Sequence, residues 1–423
     1  MTEKTAPAGV YVHFPWCLAK CPYCDFVSYS ASRESIDHAA YADAVIREIE
    51  ARAPNFAGRQ VKTVFFGGGT PSLWDPRELG RVVARVRERL CRQPPRSDGA
   101  RGASPPPDLP VPDLEVTVEC NPTSLSEDVA RALLDVGVNR LSIGVQSLRD
   151  DRLRYLGRLH DASGAREAVR GAMRAGMTRV SADLIFGTPG QSAGEARDEA
   201  LELAHLGLSH MSAYQLTIEP GTRFGELARR GRLPLADDGI VAEAFLAIDD
   251  ALTALGLRHY EVSNFARPGE EARHNLGYWR GDEYLGLGCA AFGFVRRRGE
   301  EAATGHSDKP SAQGVRYRNA VLPERFVEST LQAASDGGGI SESSEPLDAP
   351  TLLRERIMLG LRVDGGIDIA AAAAELGAPG WTTERIRAAE WLEERGRIVR
   401  SGPRVSIPHT AWLWTDDTAA RLF

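Results

Sequence analysis

The 423-residue sequence lacks an uninterrupted apolar run of the length that a membrane-spanning helix needs. Its opening residues, MTEKTAPAGV, lack the basic and apolar regions of a secretion signal. We therefore expect a cytoplasmic protein that meets a membrane only through a partner. Basic residues are not in excess either, since 51 Lys and Arg stand against 58 Asp and Glu, for a net charge of -7. This balance gives no indication of nucleic-acid binding.

Cysteine is scarce, and its placement is uneven. The chain has six cysteines, and three of them, Cys17, Cys21 and Cys24, fall within the stretch WCLAKCPYCDF. In a chain of this length with no sign of secretion, clustered thiols indicate a metal site or catalytic cysteines rather than disulfides. The other three stand alone and are expected to be buried free thiols: Cys91, Cys120 and Cys289.

Short β-rich runs alternate with helical patterns along most of the chain. The runs are GVYVHF (9–14), VKTVFFGGG (61–69), LEVTVE (114–119), RLSIGVQ (140–146), RVSADLIFG (179–187) and HMSAYQLTI (210–218). Helical patterns, with apolar residues three to four apart, cover 39–53, 78–90, 127–136, 162–175 and 195–206. This alternation predicts an α/β fold with a parallel sheet that is either open or closed into a barrel.

Two segments break the alternation, and the tail differs from both. Residues 92–113 are rich in Pro, Gly and Ser and predict a surface insertion. Residues 296–350 show little periodicity and predict an irregular insertion and linker. Over residues 351–423, helical patterns precede a short hairpin, RIVRSGPRVSI, which predicts a small winged-helix-like domain. Its acidic and neutral residues favour a packing role over contact with nucleic acid.

The spacing of the three clustered cysteines leaves two kinds of metal site open. Thiols at positions i, i+4 and i+7, with Pro22 between them, suit a loop around a metal centre better than a helix. They fit a zinc site completed by a distant ligand, or an iron–sulfur cluster with one iron free of protein ligands. The loop directly follows the first strand, at the end where parallel barrels place their active sites. This position favours the cluster, whose open iron can take the amine and carboxylate of S-adenosylmethionine (SAM).

Polar residues also occupy the later predicted strands near their carboxyl ends. Glu119 and Gln146 end the third and fourth strands, Asp183 lies in the fifth, and Arg158 follows Gln146 in the sequence YLGRLH. Acids, an amide and a cation at successive strand ends suit ribose hydroxyls, an amine and a carboxylate. The glycines at 67–69, directly after the second strand, would let the backbone approach a ligand closely.

These motifs together resemble the radical SAM superfamily: Cys17-x3-Cys21-x2-Cys24, with Tyr23 before the third cysteine, and Gly-Gly-Gly-Thr-Pro at 67–71. The resemblance implies a partial (β/α)6 TIM-like barrel over residues 1–295, a [4Fe–4S] cluster on the three cysteines, and Tyr23 near the SAM adenine. The chain is similar to the coproporphyrinogen oxidase-like branch, in which Arg158 would pair with the methionyl carboxylate. By this similarity the residues that contact SAM are Tyr11, Gly68, Gly69, Thr70, Glu119, Gln146, Arg158 and Asp183.

Two kinds of protein in this branch share the SAM site. The oxygen-independent coproporphyrinogen III oxidase of porphyrin biosynthesis carries a further cysteine two residues after the third, and a long N-terminal extension. This chain has Cys24-Asp25-Phe26 instead, and ten residues before Tyr11. Both features resemble the HemW-type heme chaperones, as do the segments LGRLH (156–160), HYEVSNFARPG (259–269) and HNLGYW (274–279).

The chaperone resemblance implies heme binding and heme transfer to an acceptor, a respiratory enzyme, without coproporphyrinogen oxidation. His274, in the HN-x-x-YW motif, is the implied heme ligand, and a flavodoxin or ferredoxin is the expected electron donor. Coproporphyrinogen III oxidase is the alternative function, and a zinc-stabilised interaction protein is a third. One departure from the family stands at 284–295, where Cys289, Ala290 and Phe292 are expected to alter the wall of the heme or substrate surface.

Overall fold

A twelve-stranded, mostly parallel sheet organises the computed structural model, which describes residues 6–91, 113–297, 312–336 and 339–423. Within these ranges the strands are β1 (Pro7–Phe14), β2 (Trp16–Cys17), β3 (Tyr29–Ser30), β4 (Gln60–Gly68), β5 (Glu115–Cys120), β6 (Arg140–Gln146), β7 (Val180–Phe186), β8 (His210–Gln215), β9 (Arg258–Glu261), β10 (Asn264–Ala266), β11 (Glu283–Leu287), β12 (Phe292–Arg296), β13 (Gly314–Asn319), β14 (Ser341–Leu347), β15 (Val399–Ser401) and β16 (Arg404–Ser406).

The α-helices of the same ranges flank the sheet or form the C-terminal part. They are α1 (His38–Phe56), α2 (Pro76–Val86), α3 (Glu127–Asp135), α4 (Asp150–Tyr155), α5 (Ala162–Arg174), α6 (Ala193–Ala204), α7 (Arg223–Arg229), α8 (Asp238–Ala254), α9 (Arg273–Arg280), α10 (Pro323–Asp336), α11 (Ala349–Gly360), α12 (Ile369–Leu376), α13 (Thr383–Glu394) and α14 (Thr415–Ala420). Across the described residues, none of the helices is long and apolar enough to cross a bilayer.

Six neighbouring strands form the parallel centre of the sheet, in the order β1-β4-β5-β6-β7-β8, and β11 adds a seventh parallel strand beside β1. Both faces of β1 are covered, and Val10, Val12 and Phe14 are completely buried, as expected of a strand inside a parallel sheet. Each later strand of this centre is preceded by a helix, because parallel neighbours need a crossover connection. The predicted α/β fold with a parallel (β/α)6 core is confirmed.

The prediction of an irregular linker over 296–350 is wrong for the described part of that segment. β13, α10 and β14 lie within it, and the two strands extend the sheet through antiparallel pairing with β12. β14 contains exposed Ser and Glu residues that show no strand periodicity, so its conformation depends on the hydrogen bonds that β13 offers. The predicted insertion at 92–113 lies outside the described residues except for Asp113.

The C-terminal residues form most of a second hydrophobic core, to which Phe294 of β12 and Leu347 of β14 also contribute. α11, α12 and α13 precede the β15–β16 hairpin, the arrangement expected of a winged-helix-like domain. Leu353, Ile357 and Leu392 are central to this core, which is separate from the core of the barrel. The backbone amide of Val262 donates to the carbonyl of Arg362 at 2.9 Å and thereby joins the barrel to this domain.

Candidate cofactor site

The three clustered cysteines lie on a closed loop at the carboxyl end of β1. β2 and β3 pair at the base of this loop, where the amide of Ala31 donates to the carbonyl of Cys17 at 2.9 Å. Within the loop, the amide of Cys24 donates to the carbonyl of Cys21 at 3.2 Å. The three thiols are half-buried and free of disulfides. A loop pinned at its base therefore holds three free thiols next to the barrel mouth.

Two side chains from other loops contact these thiols. The Thr70 hydroxyl donates to Cys17 Sγ at 3.3 Å, and Arg158 Nη1 donates to Cys21 Sγ at the same distance. Arg158 Nη2 donates to the carbonyl of Gly144 at 2.9 Å, whereas its buried Nε has no partner among the described residues. Burial raises the pKa of the Cys17 thiol, and the Thr70 hydroxyl opposes that shift. The nearby charge of Arg158 also opposes the shift at Cys17 and favours its thiolate, which is the metal-binding form.

The glycines after β4 bring the backbone close to the loop. Gly68 has a φ of 108°, in the region that favours glycine, and a Cβ there would lie 2.5 Å from the His13 ring. A Cβ on Gly69 would lie 2.6 Å from the carbonyl oxygen of Trp16. The amide of Gly68 donates to Glu119 Oε2 at 3.2 Å. A larger residue at Gly69 would therefore force the backbone apart, and one at Gly68 would displace the His13 ring and strain its own backbone.

A cavity of about 580 Å³ fills the barrel interior below the cysteine loop. Four of the predicted SAM contacts line it: Tyr11, Gly68, Glu119 and Asp183. Thr70 and Arg158 contact the cysteines instead. Gln146 stands at the end of β6 with a φ of 66° and a buried Oε1 that has no partner among the described residues. Tyr23 packs against Phe224 of α7, with 6.4 Å between the ring centroids. Its predicted contact with adenine stays a prediction.

Two carboxyl groups share the cavity, and both are shifted toward the protonated form. Burial, together with the nearby charge of Asp183, raises the pKa of Glu119 to about 8. Burial also raises the pKa of Asp183 to about 6, although hydrogen bonds from Ser212 and Ser142 oppose this shift. A ligand that donates hydrogen bonds or carries positive charge would favour the ionised forms of both groups.

Several polar residues that none of the sequence motifs includes line the same cavity. They occupy alternate positions on β5 to β8, and they are Thr117, Arg140, Ser142, Ser181, His210 and Ser212. The signal for them was present, because polar residues two apart in an otherwise apolar buried strand share one face. The interior of this barrel is therefore a lined chamber and not a packed apolar core.

Comparison with known proteins places this architecture in a family. A radical SAM superfamily model matches residues 11–204, and a HemN C-terminal domain model matches residues 347–414. The heme chaperone HemW of Escherichia coli (strain K12) is 38% identical over 292 residues, which cover 69% of this chain and 71% of that protein. HemW of Mycobacterium tuberculosis (strain ATCC 25618 / H37Rv) is 33% identical over 412 residues, 97% and 93% of the two chains. This chain belongs to the HemW family of radical SAM proteins.

A solved structure shares the fold of this HemW-family chain. Coproporphyrinogen III oxidase (HemN) from Escherichia coli superposes with a TM-score of 0.75 at 20% identity, covering 99% of this chain and 90% of that one. At this level of identity the likeness establishes the fold and leaves the activity open. Membership in the radical SAM superfamily implies a [4Fe–4S] cluster and SAM, and the residues present fit both. Three features support this fit: the free thiols, the close backbone approach at Gly68 and Gly69, and the unpartnered polar atoms of Arg158 and Gln146.

The HN-x-x-YW motif of this HemW-family chain lies at the other end of the barrel from the cysteines. It forms α9, whose His274 contacts the first residues of the central strands: its Nδ1 is hydrogen-bonded to Thr63 at 2.8 Å, and its amide donates to Glu115 at 3.1 Å. Its Nε2 is hydrogen-bonded to the Tyr278 hydroxyl at 3.0 Å. Burial lowers the pKa of His274 to about 3, so the imidazole is neutral. Heme ligation by His274 stays a prediction, and it requires one of these hydrogen bonds to break.

The expected change in the cavity wall is found at two of its three positions. Ala290 and Phe292 line the cavity, with Phe292 partly exposed at its edge. Cys289 does not belong to the lining among the described residues, because its thiol is buried and donates to the carbonyl of Val321 at 3.4 Å. The prediction for Cys289 is therefore wrong, since the left-handed backbone of Gly288 and Ala290 turns the chain on either side of it.

Proposed function

We propose that this chain is a radical SAM-type heme chaperone. In this proposal Cys17, Cys21 and Cys24 hold a [4Fe–4S] cluster, SAM occupies the carboxyl end of the barrel, and heme is bound and passed to an acceptor protein. A respiratory enzyme of the same cytoplasmic compartment is the proposed acceptor, and a flavodoxin or ferredoxin the proposed electron donor. The identity with HemW proteins over most of the chain supports this proposal.

The chain's own residues have separate tasks in this proposal. When bound, the cluster supplies an electron for reductive cleavage of SAM. Arg158 pairs with the methionyl carboxylate while it keeps its contact with Cys21. The backbone at Gly68 and Gly69 approaches the ligand closely. Glu119 and Asp183 accept hydrogen bonds from the hydroxyl or amine groups of SAM. The cysteine loop, pinned at its base, excludes water from the thiols.

The side chain of Phe26 is the observation that favours a heme chaperone over a coproporphyrinogen oxidase. The oxidases that this chain resembles carry a further cysteine two residues after the third, and here that position is Phe26. Asp25 and Phe26 line the mouth of the cavity, and Phe26 is 58% exposed. An apolar, unreactive side chain stands where the oxidase has a thiol, so the proposed activity excludes coproporphyrinogen oxidation.

One anaerobic preparation of the full-length, reconstituted protein tests the proposal. We expect an iron–sulfur absorption spectrum, a shift of the heme Soret band at micromolar protein, and no turnover of coproporphyrinogen with SAM and reductant. Cys17→Ala should lose the iron–sulfur spectrum, whereas Cys91→Ala, at an isolated thiol, should keep it. Turnover of coproporphyrinogen would establish the oxidase instead, and an unchanged Soret band would contradict the chaperone. Stoichiometric zinc without iron would contradict both.

A further inference from the structure

A second cluster of metal-binding side chains lies far from the cysteines, between the barrel and the C-terminal domain. Asp249 is on α8, His259 is on β9, and His409 begins a short helical turn of the C-terminal domain, His409–Trp414. One ligand atom from each residue lies within 4.8 Å of the others. The group combines two imidazoles and one carboxylate, and neither the cofactor site nor the heme motif uses any of them.

Both ring nitrogens of His259 face hydrogen-bond acceptors. Its Nδ1 lies 2.9 Å from Asp249 Oδ1, and its Nε2 lies 3.3 Å from the carbonyl oxygen of Val262. Both neighbours are acceptors, and a neutral imidazole has only one N–H to donate. If Nε2 donates to the carbonyl, the lone pair of Nδ1 faces a carboxylate oxygen. A proton occupies this 2.9 Å gap in the metal-free protein; because two ligands of one zinc-class ion lie roughly 3–3.7 Å apart, a bound ion would replace the proton and move the two side chains slightly apart.

His409 distinguishes these two cations. Its Nδ1 lies 3.7 Å from Asp249 Oδ2, which is too long for a hydrogen bond. Two ligands of one zinc-like ion, each about 2.0–2.2 Å from the metal, lie roughly 3–3.7 Å apart. A proton between His259 and Asp249 involves only those two residues, whereas His409 packs against Trp412 with 4.3 Å between the ring centroids. A single ion can contact all three side chains.

The surroundings of the cluster resemble the support of a metal site. The Phe265 ring stacks on the His259 ring with 3.9 Å between the ring centroids. The Trp412 ring meets His259 edge-on, with 4.3 Å between the centroids. The carbonyl partner of His259 Nε2 fixes the ring orientation, as second partners of metal-bound histidines do. His409 is partly exposed, which leaves a path from solvent to the cluster.

We propose that Asp249, His259 and His409 bind a divalent transition-metal ion of the zinc class, with water completing its coordination. Two imidazoles and a carboxylate form a ligand set that suits Zn²⁺. Because two ligands belong to the barrel and one to the C-terminal domain, the ion fastens the domain to the barrel. This site is independent of the cluster, SAM and heme.

Zinc titration of the full-length chain tests the proposal. Cys17, Cys21 and Cys24 are first replaced by serine, so that zinc cannot bind at the cluster thiols. Calorimetry should then show one zinc per chain, and Asp249→Asn and His409→Ala should each weaken binding about 10-fold or more. His205→Ala, at an exposed histidine outside the cluster, is the matched control and should bind zinc like the parent chain. Bound Co²⁺ should give a visible spectrum without a thiolate charge-transfer band.

The outcomes separate a metal site from a proton-only network. Zinc should raise the melting temperature of the parent chain and of His205→Ala, but not that of His409→Ala. Absence of zinc uptake, or uptake that is equal in His409→Ala and the parent, would overturn the proposal. A lower melting temperature in His409→Ala with an unchanged response to zinc would overturn it as well. His409 is the decisive position because its partial exposure lets the alanine variant fold.

Discussion

Arg158 joins two parts of the cofactor site that are distant in the sequence. It donates to Cys21 Sγ and to the carbonyl of Gly144, and its Nε is left for a ligand. We expect Arg158→Gln to weaken SAM binding about 10- to 100-fold, the range for a lost hydrogen bond to a charged group. Equilibrium dialysis of SAM with reconstituted protein measures the effect. Arg154→Gln, at an exposed residue of α4, is the control, and equal SAM affinity in both variants would contradict the role of Arg158.

Glu119 makes the stability of the fold depend on pH. Its pKa of about 8 lies above its ordinary value of 4.5, so the folded chain holds a proton that the unfolded chain releases. The stabilisation from this group is complete below its unfolded pKa and is lost as pH rises through about 8. We therefore compare the unfolding free energies of the wild type and of Glu119→Gln. The difference, wild type minus variant, should decrease as the pH rises from about 5 to about 8.

Urea unfolding of cluster-free protein at several pH values measures this difference. Glu88→Gln, at an exposed residue that pairs with Arg85 at 3.5 Å, is measured in parallel as the control for a surface glutamate. A flat difference for Glu119→Gln would show that water in the cavity cancels the burial of the carboxyl group.

At the scale of elements, a buried charge network fixes the antiparallel extension of the sheet to α1. The Glu48 carboxylate is fully buried and pairs with Arg52 at 2.7 Å. Arg52 also donates to Asn319 Oδ1 at 2.8 Å and to Ser341 Oγ at 3.0 Å, which lie on β13 and β14. We expect Arg52→Met to lower the unfolding free energy by about 3–5 kcal/mol, because it leaves Glu48 buried without a cation.

An exposed pair between neighbouring helices provides the control for this effect. Arg85 on α2 pairs with Glu50 on α1, and both side chains are about one-third exposed. Arg85→Met should cost less than about 1 kcal/mol, as exposed pairs do. Urea unfolding monitored by circular dichroism compares the two variants, and equal losses would contradict the structural role of the Arg52 network.

The central strands and the antiparallel extension of the sheet differ in how far the sequence predicts them. The strands β1, β4, β5, β6, β7 and β8 were predictable because each is an apolar run followed by a periodic helix. β14, with the sequence SESSEPL, has neither β-propensity nor an apolar face, and only its pairing with β13 makes it a strand. The candidate site likewise contains residues that local motifs predict and contacts that only the folded chain shows. The cysteines and glycines follow from local motifs, whereas the contacts of Arg158 and His274 depend on how distant loops and helices pack.

At the scale of the whole molecule, the cysteine loop and the predicted heme motif occupy opposite ends of one barrel. The cysteine loop follows the carboxyl end of β1, while α9 lies across the amino ends of β1, β4 and β5. A Cβ on Gly9, near the start of β1, would lie 3.1 Å from the His274 ring. The lined cavity separates the two ends, and Tyr278 of α9 borders it. Heme bound at His274 would therefore lie at the amino ends of the strands, adjacent to the C-terminal domain, which packs against α9.

The hydrogen bond on His274 Nε2 provides a test of this arrangement. If heme iron takes that nitrogen, the Tyr278 hydroxyl competes with the iron, so Tyr278→Phe should tighten heme binding about 5-fold, the equivalent of one hydrogen bond near 1 kcal/mol. His274→Ala should abolish the Soret shift.

Tyr284→Phe is the control for Tyr278→Phe. It removes the hydroxyl of a neighbouring ring, whose centroid lies 4.7 Å from the centroid of the Tyr278 ring, and it should leave heme affinity unchanged. Heme titration with SAM affinity as a parallel readout separates the two ends of the barrel, because all three variants should bind SAM normally. Full heme binding by His274→Ala would place the heme ligand outside α9.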